Sequence, residues 1–393
     1  MKLTIKRDDL LHLCELCSEV GGKGAAYHGT DRVQLTASLV DGLGTLQGYS
    51  RVPAGVSVET AVLTAGLDQA GEVVVSTKHL TSVVAAMSAE VLGLAPNREN
   101  SRLIVSAVGG KRRRYELPLA AEGCASLGEP VEPPEAATRR ELPASLLLEL
   151  LGRVKHAAAP EGESQLHMQA ISFEVKDGHA GAVACDGHRM AMATAEVPAG
   201  TEFSGLLTRR FVALVGAVCK QLPRDATVTL IQGSNSVFLE TPSTLVSGEL
   251  PLSPLPPVRQ HYESLDKRYI GTLPREPLVD ALRGVLAARF DATQESNLYP
   301  CIRLALGKGK NVLRVYLEGY SVEAEDEVPF DALNDDGAPG DGFDVGYEPE
   351  YLTEAVRASG QHLNVQLVQM IGGQDALTFE SPGYAAWIAP RVK

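Results

Sequence analysis

The chain has 393 residues, 44% hydrophobic and 22% charged, a globular composition too long for one ordinary core, so two or three domains are expected. Its net charge of −13 argues against a protein that grips nucleic acid through a general basic surface, since that binding depends on Lys and Arg neutralising phosphates. No apolar run reaches the ~18 to 20 residues of a membrane span, and Met1-Lys2-Leu3-Thr4-Ile5 turns polar at once, so a cytoplasmic chain with no signal peptide and no membrane partner is expected.

Leu3 to Val20 (LTIKRDDLLHLCELCSEV) predicts a strand, a polar break and an amphipathic helix with paired leucines. Cys14 and Cys17 form a C-x-x-C on the apolar face of that helix, and no second Cys or His pair stands at zinc spacing, so they read as core residues and no metal site is expected. Val73 to Ala107 brings a second layout: strand, helix, strand, polar turn, strand, with Ser76 as N-cap. After a Pro- and Gly-rich stretch, Glu122 to Ala137, the first layout returns in Glu141 to His156 and the second in Leu206 to Glu240, with Thr208 as N-cap. Another proline-rich stretch, Pro251 to Val258, precedes the third round, Tyr269 to Phe290 and Val345 to Glu380. The loop from Asp331 to Asp341 is acidic and turn-rich and reads as a solvated insertion. The recurrence at close to 130 residues predicts an α+β chain of three domains, 1–128, 129–257 and 258–393, each with two helices and two sets of antiparallel strands.

Enzyme signatures are missing. Gly21-Gly22-Lys23-Gly24 and Gly307-Lys308-Gly309-Lys310 lack the spacing of a Walker A loop, and there is no G-x-S-x-G, no H-E-x-x-H and no spaced acidic set for two magnesium ions. Asp335-Asp336 sits among glycines and reads as solvation. No cofactor is expected.

The most informative stretch is Ala182 to Met192, AVACDGHRMAM. Apolar runs flank Asp186-Gly187-His188-Arg189, and Asp-Gly is the strongest two-residue turn signal, so a hairpin presents an imidazole and a guanidinium at a sheet rim. Such a rim can wall a pocket, or it can simply face water; a catalytic or metal-binding set of Cys185, Asp186 and His188 is a third reading.

Three rounds of a two-helix unit, VACDGHRMAMA in the second, and a C-terminal strand ending Trp387-Ile388-Ala389-Pro390-Arg391-Val392 together resemble the bacterial sliding clamp, the β subunit of DNA polymerase III. The similarity runs over nearly the whole chain and is strongest from Ile171 to Pro256, and against it the loops near Gln294 and Asp335 look like insertions. It implies three tandem clamp domains closed as a head-to-tail homodimer into a ring around duplex DNA, with sheets outside and helices lining the hole. It also implies a DNA-binding processivity factor without an active site, often classed with DNA-directed DNA polymerases. An acidic exterior then suits a ring that holds DNA by topology. The six predicted helices carry no net charge against −13 for the chain, and Lys23, Lys78, Arg153, Lys155, Arg209, Arg210 and Lys220 are its DNA-channel candidates.

The resemblance further implies that the DNA polymerase III catalytic subunit, the clamp loader, and other polymerases and repair proteins bind through short peptides with a glutamine and bulky apolar residues. Carried over by position, their groove between the second and third domains is lined by Met168, Cys185, Gly187, His188, Arg189, Met190, Pro256, Tyr351, Ala376, Trp387, Ala389, Pro390 and Arg391. His188 and Arg189 are its expected polar rim. Cys185 stands where the family commonly has Thr, Met190 where it has Leu, Trp387 at an aliphatic position, and Ala389-Pro390-Arg391 in place of Met-Pro-Met. These departures predict an altered preference for partner peptides or groove-directed inhibitors, and they keep open a specialised paralogue serving repair or inhibitor tolerance.

Overall fold

The computed structural model describes every residue except 22–30, 53–54, 110–112, 121–126, 161–165, 201, 252–254, 289–300, 308–309, 319–322, 332–341, 371–374 and 392–393. Lys23, the Asp335-Asp336 pair, the loop near Gln294 and most of the Asp331 to Asp341 loop therefore lie outside the described residues.

Short alternating runs become strands, and leucine-paired runs become helices. The first third contains β1 (Lys2–Lys6), α1 (Arg7–Glu19), β2 (Arg32–Val40), β3 (Leu43–Val52), β4 (Val56–Leu63), β5 (Gly66–Gln69), β6 (Gly71–Ser76), α2 (Thr77–Ala86), β7 (Val91–Pro96), β8 (Arg102–Ala107) and β9 (Arg114–Pro118). The second holds β10 (Thr138–Pro143), α3 (Ala144–Val154), β11 (Ala170–Lys176), β12 (His179–Cys185), β13 (Arg189–Glu196), β14 (Phe203–Thr208), α4 (Arg209–Gln221), β15 (Thr227–Gln232), β16 (Ser236–Glu240) and β17 (Thr244–Glu249). The last holds α5 (Val258–Glu263), β18 (Lys267–Pro274), α6 (Arg275–Ala287), β19 (Cys301–Leu306), β20 (Val312–Glu318), β21 (Glu325–Pro329), β22 (Phe343–Tyr347), α7 (Pro349–Ala358), β23 (His362–Gln369), β24 (Asp375–Ser381) and β25 (Tyr384–Ile388).

The chain divides into two compact units. One is Met1–Leu148 with Leu207–Leu250, the other Glu149–Leu206 with Pro251–Lys393. This grouping differs from the three predicted segments because sheet ladders run across both predicted boundaries. In the first unit β4 pairs with β17, making one sheet in the order β10-β15-β16-β17-β4-β3-β2-β6 beside a second, β5-β1-β7-β8-β9. Two buried hydroxyl pairs tie that junction, Ser57 Oγ to Ser247 Oγ at 2.7 Å and Thr60 Oγ1 to Thr244 Oγ1 at 2.9 Å. In the second unit β13 pairs with β25, giving β14-β11-β12-β13-β25-β24-β23-β18 beside β21-β20-β19-β22. The same four-strand order recurs: β1-β7-β8-β9, β10-β15-β16-β17 and β18-β23-β24-β25 in one set, β6-β2-β3-β4, β14-β11-β12-β13 and β22-β19-β20-β21 in the other.

Helices cover these sheets by burying one stripe. In α1, Asp8 and Asp9 stand in the first turn, where the helix dipole favours acids, while Leu10, Leu13, Cys14, Leu16 and Cys17 are buried. The strand beneath makes room: a Cβ on Gly48 would fall 2.5 Å from Leu13 Cδ2, and one on Gly248 would fall 2.7 Å from Phe211 Cδ2 of α4. The predicted caps form, Ser76 Oγ accepting from the His79 N–H at 3.3 Å and Thr208 Oγ1 from the Phe211 N–H at 3.2 Å. Burial pushes the Cys17 thiol up to about 12 and raises that of Cys14, which suits the core role read from their spacing.

Candidate functional site

The hairpin at Asp186 lies wholly in the second unit. β12 and β13 pair from His179 opposite Glu196 to Cys185 opposite Met190, and Asp186, Gly187 and His188 turn the chain. Gly187 takes φ +90°, and a Cβ there would meet Met168 Sδ at 4.0 Å. Asp186 organises the turn from within. Its Oδ1 accepts the N–H groups of His188 and Arg189, both at 2.9 Å, and its Oδ2 accepts Arg189 Nε at 3.0 Å. Arg189 Nη1 also donates to Glu354 Oε2 at 2.5 Å, and the guanidinium lies 4.0 Å from the centre of the Tyr351 ring. With side chains only 8% and 6% exposed, Arg189 and Asp186 form a buried pair that bolts the turn to α7. Arg189, expected at the polar rim, thus has its side chain buried and its guanidinium paired with Asp186 and Glu354. His188 is exposed, as expected, and its carbonyl accepts the Ala389 N–H at 2.9 Å.

One sheet face beside this turn is apolar. Cross-strand pairing aligns Cys185, Met190, Trp387 and Thr378 in one row, and Val183, Met192, Ala385 and Glu380 in the next. Val183, Cys185, Met190 and Tyr262 form a buried cluster, with Met192, Leu255, Val258, Leu265, Ala385 and Trp387 packed against it half-buried. Of the predicted groove residues, Met168, Cys185, Gly187, His188, Met190, Trp387 and Ala389 therefore gather around the turn and this face. Tyr351 stands behind it under Arg189, and Pro256 is exposed just before α5. Ala376 is fully buried on β24, and half-buried Pro390 precedes Arg391, which ties to Glu348 through Nη1 and to the Gly346 carbonyl through its N–H.

Sequence reasoning missed α5. Val258, Tyr262 and Leu265 stand at i, i+4 and i+7, a helical stripe whose signal was masked by the prolines before it. It also missed Glu380, which accepts from Tyr262 Oη at 2.6 Å, Lys267 Nζ at 3.2 Å and Gln366 Nε2 at 3.3 Å, with Lys267 Nζ 3.6 Å from the Tyr262 ring centre. Burial and the neighbouring carboxylate push the Tyr262 hydroxyl well above the usual tyrosine range, so it stays a donor.

Chemically, the site is an adaptable apolar shelf beside a rigid polar turn. Burial pushes the Cys185 thiol up, against a lowering hydrogen bond from the Gly187 N–H, so the thiol stays neutral. Asp186 is occupied by two backbone N–H groups and Arg189. The reading of Cys185, Asp186 and His188 as a catalytic set therefore meets a protonated sulfur and an engaged carboxylate.

The channel candidates separate. Lys78, Lys155 and Lys220 are exposed on or just after α2, α3 and α4, and Arg209 and Arg210 are half-buried at the start of α4. Arg153 is committed elsewhere: Nε donates to the Ala358 carbonyl at 3.0 Å, closing the C-terminus of α7, and the guanidinium lies 4.8 Å from the centre of the Tyr384 ring.

No family model matches the chain, and no curated protein matches its sequence. Solved structures match it end to end. The DNA polymerase III β subunit of Thermotoga maritima superposes with TM-score 0.78 at 17% identity, over 100% of this chain and 99% of that one. The β subunit of Pseudomonas aeruginosa does so with TM-score 0.74 at 19% identity, over 100% of both. The chain has the sliding-clamp fold. A second match to a Pseudomonas aeruginosa sliding clamp, TM-score 0.74 at 18% identity over 100% of both chains, is to a structure with griselimycin bound. The sliding-clamp fold bears out the α+β class read from the sequence, helices with antiparallel sheets.

Proposed function

We propose that this protein is a DNA sliding clamp: a non-catalytic ring of two chains, each with clamp domains 1–128, 129–257 and 258–393, that encircles duplex DNA and tethers the replicative polymerase. The observation that carries this reading is the recurring strand order. Each set of four ends in a strand that meets the other set's end strand, β17 against β4 and β25 against β13, which leaves β9 and β21 as the one such pair whose outer edges meet no strand among the described residues. Both read x-x-E-aliphatic-Pro, RYELP and EDEVP, with the same burial pattern, and their charges differ: Arg113 and Arg114 at β9 against Glu325, Asp326 and Glu327 at β21. Pairing β9 of one copy with β21 of the next closes a head-to-tail ring and covers both open edges.

In this reading Lys78, Lys155, Arg209, Arg210 and Lys220 meet phosphates through water, and the shelf beside Asp186 to Arg189 takes peptides of the polymerase, the clamp loader and repair proteins. The clamp works in the cytoplasm. The griselimycin-bound relative supports a ligand-taking surface on this fold. Trp387 and Cys185 on the shelf favour, as a second reading, a paralogue with its own partner set; deleting the gene separates the two, because a sole replicative clamp is essential. The primary test is synthesis on primed circular DNA with a clamp loader and ATP. Long products that depend on this protein support the proposal, and products of unchanged length end it.

A further inference from the structure

Trp387 is the one tryptophan of the chain, and its indole N–H is buried without a hydrogen-bond partner among the described residues. The surroundings explain why. Its cross-strand neighbours are Met190, which offers only a thioether, and Thr378, whose hydroxyl turns to the Gln366 side-chain oxygen at 3.1 Å. The rest of the cluster around it is chiefly aliphatic and thioether side chains; the Cys185 sulfur accepts the Gly187 N–H, and Tyr262 gives its hydroxyl to Glu380. A buried donor left unmatched is unfavourable, and tryptophan normally finds a partner when buried. The defect sits on the shelf proposed to receive partner peptides, beside Met190 and Met192, whose unbranched side chains have the freedom to uncover it.

We infer that the Trp387 N–H is a recognition donor for an amide carbonyl oxygen of the bound peptide, and so a specificity-determining group of the shelf. The inference rests on the groove reading above. Bulky apolar residues of the peptide lie against Cys185, Met190 and the α5 side chains, and the amide oxygen completes the indole N–H valence left open among the described residues. A peptide of the same apolar surface that lacks an acceptor at that point pays for desolvation and gains no bond, which is how a buried polar group discriminates.

The test uses the full-length protein and a short peptide carrying a glutamine and bulky apolar residues, followed by calorimetry and by ultraviolet resonance Raman of the single indole. Binding is expected to shift the indole N–H mode toward its hydrogen-bonded position, and Trp387→Phe, which keeps an aromatic ring and removes the donor, is expected to weaken binding roughly five- to tenfold. Repeating both measurements with the peptide's glutamine replaced by methionine identifies the acceptor: loss of the Trp/Phe difference assigns it to the side-chain amide, and persistence assigns it to a backbone carbonyl. Because the Raman signal is read on the unmutated protein, misfolding of the variant cannot imitate it. Tight binding with an unmoved N–H mode and equal affinity for Trp387→Phe overturns this inference alone. No binding to the unmutated protein overturns the groove reading and this inference with it.

Discussion

The strand β12 is flanked on both sides by the same dipeptide. At its start Asp177-Gly178 reverses the chain with both residues at positive φ, 51° and 78°, and the turn is held by backbone shape, with His179 Nδ1 donating to the Asp177 carbonyl at 3.0 Å. At its end Asp186-Gly187 places only the glycine at positive φ, and the carboxylate, buried, takes two N–H groups and an arginine that reaches across to α7. The first is a joint in the chain. The second is a fastening between two elements, and an Asp-Gly pair becomes part of a site through the residues next to it in sequence and those facing it in space.

Removing the fastening has the largest expected effect. Arg189→Ala strands Asp186 in the interior and cuts the tie to Glu354, and should cost about 3 kcal/mol in chemical denaturation, whereas His179→Ala should stay within about 0.5 kcal/mol. Equal losses at the two ends would erase the distinction. Asp186→Asn sets an amide against the arginine and is expected to lose about 2 kcal/mol, while Asp177→Asn, compatible with positive φ, should be neutral in the same assay. The glycines sharpen the comparison differently. Gly187→Ala and Gly178→Ala each impose left-handed strain of about 1 kcal/mol, yet only Gly187→Ala, 4.0 Å from Met168 Sδ, should also lower peptide affinity in titration calorimetry.

The smallest effect is reached by pH. A buried thiol contributes stability that is fully present below its unfolded value near 9 and is lost as pH rises toward the folded value, about 12 for Cys17 and about 11 for Cys219. The denaturation midpoint should therefore be flat near neutral pH and fall only in alkali. Cys185 shares the direction of shift, so iodoacetamide near neutral pH should label half-buried Cys301 before it.

Much of the architecture is written locally. Paired leucines and the Ser76 and Thr208 caps set the helices within a few residues, because periodicity and capping act over one or two turns. What local pattern cannot carry is distance. Glu354 lies 165 residues from Arg189, so the guanidinium read as a rim group turns inward once α7 arrives. The β4 to β17 ladder likewise joins Thr60 to Thr244 across 184 residues, so the composition break near 122–137 marks no seam of the compact units, while the break that begins at Pro251 falls on one. In the candidate site, the turn and the sulfur-rich strands were legible from AVACDGHRMAM, while the α5 cover and the Glu380 network needed the tertiary arrangement.

The ladder between β4 and β17, with its Ser57–Ser247 and Thr60–Thr244 rungs, carries a last consequence. A stretch whose strand order recurs along the chain need not be a piece that can be cut free. Severing the chain near residue 128 or 257 and parting the fragments strips a fully bonded strand on each side and leaves two sticky borders in water. The recurrence of strand order and the division into compact units are thus out of phase, and limited proteolysis should yield nicked fragments that stay together until denatured.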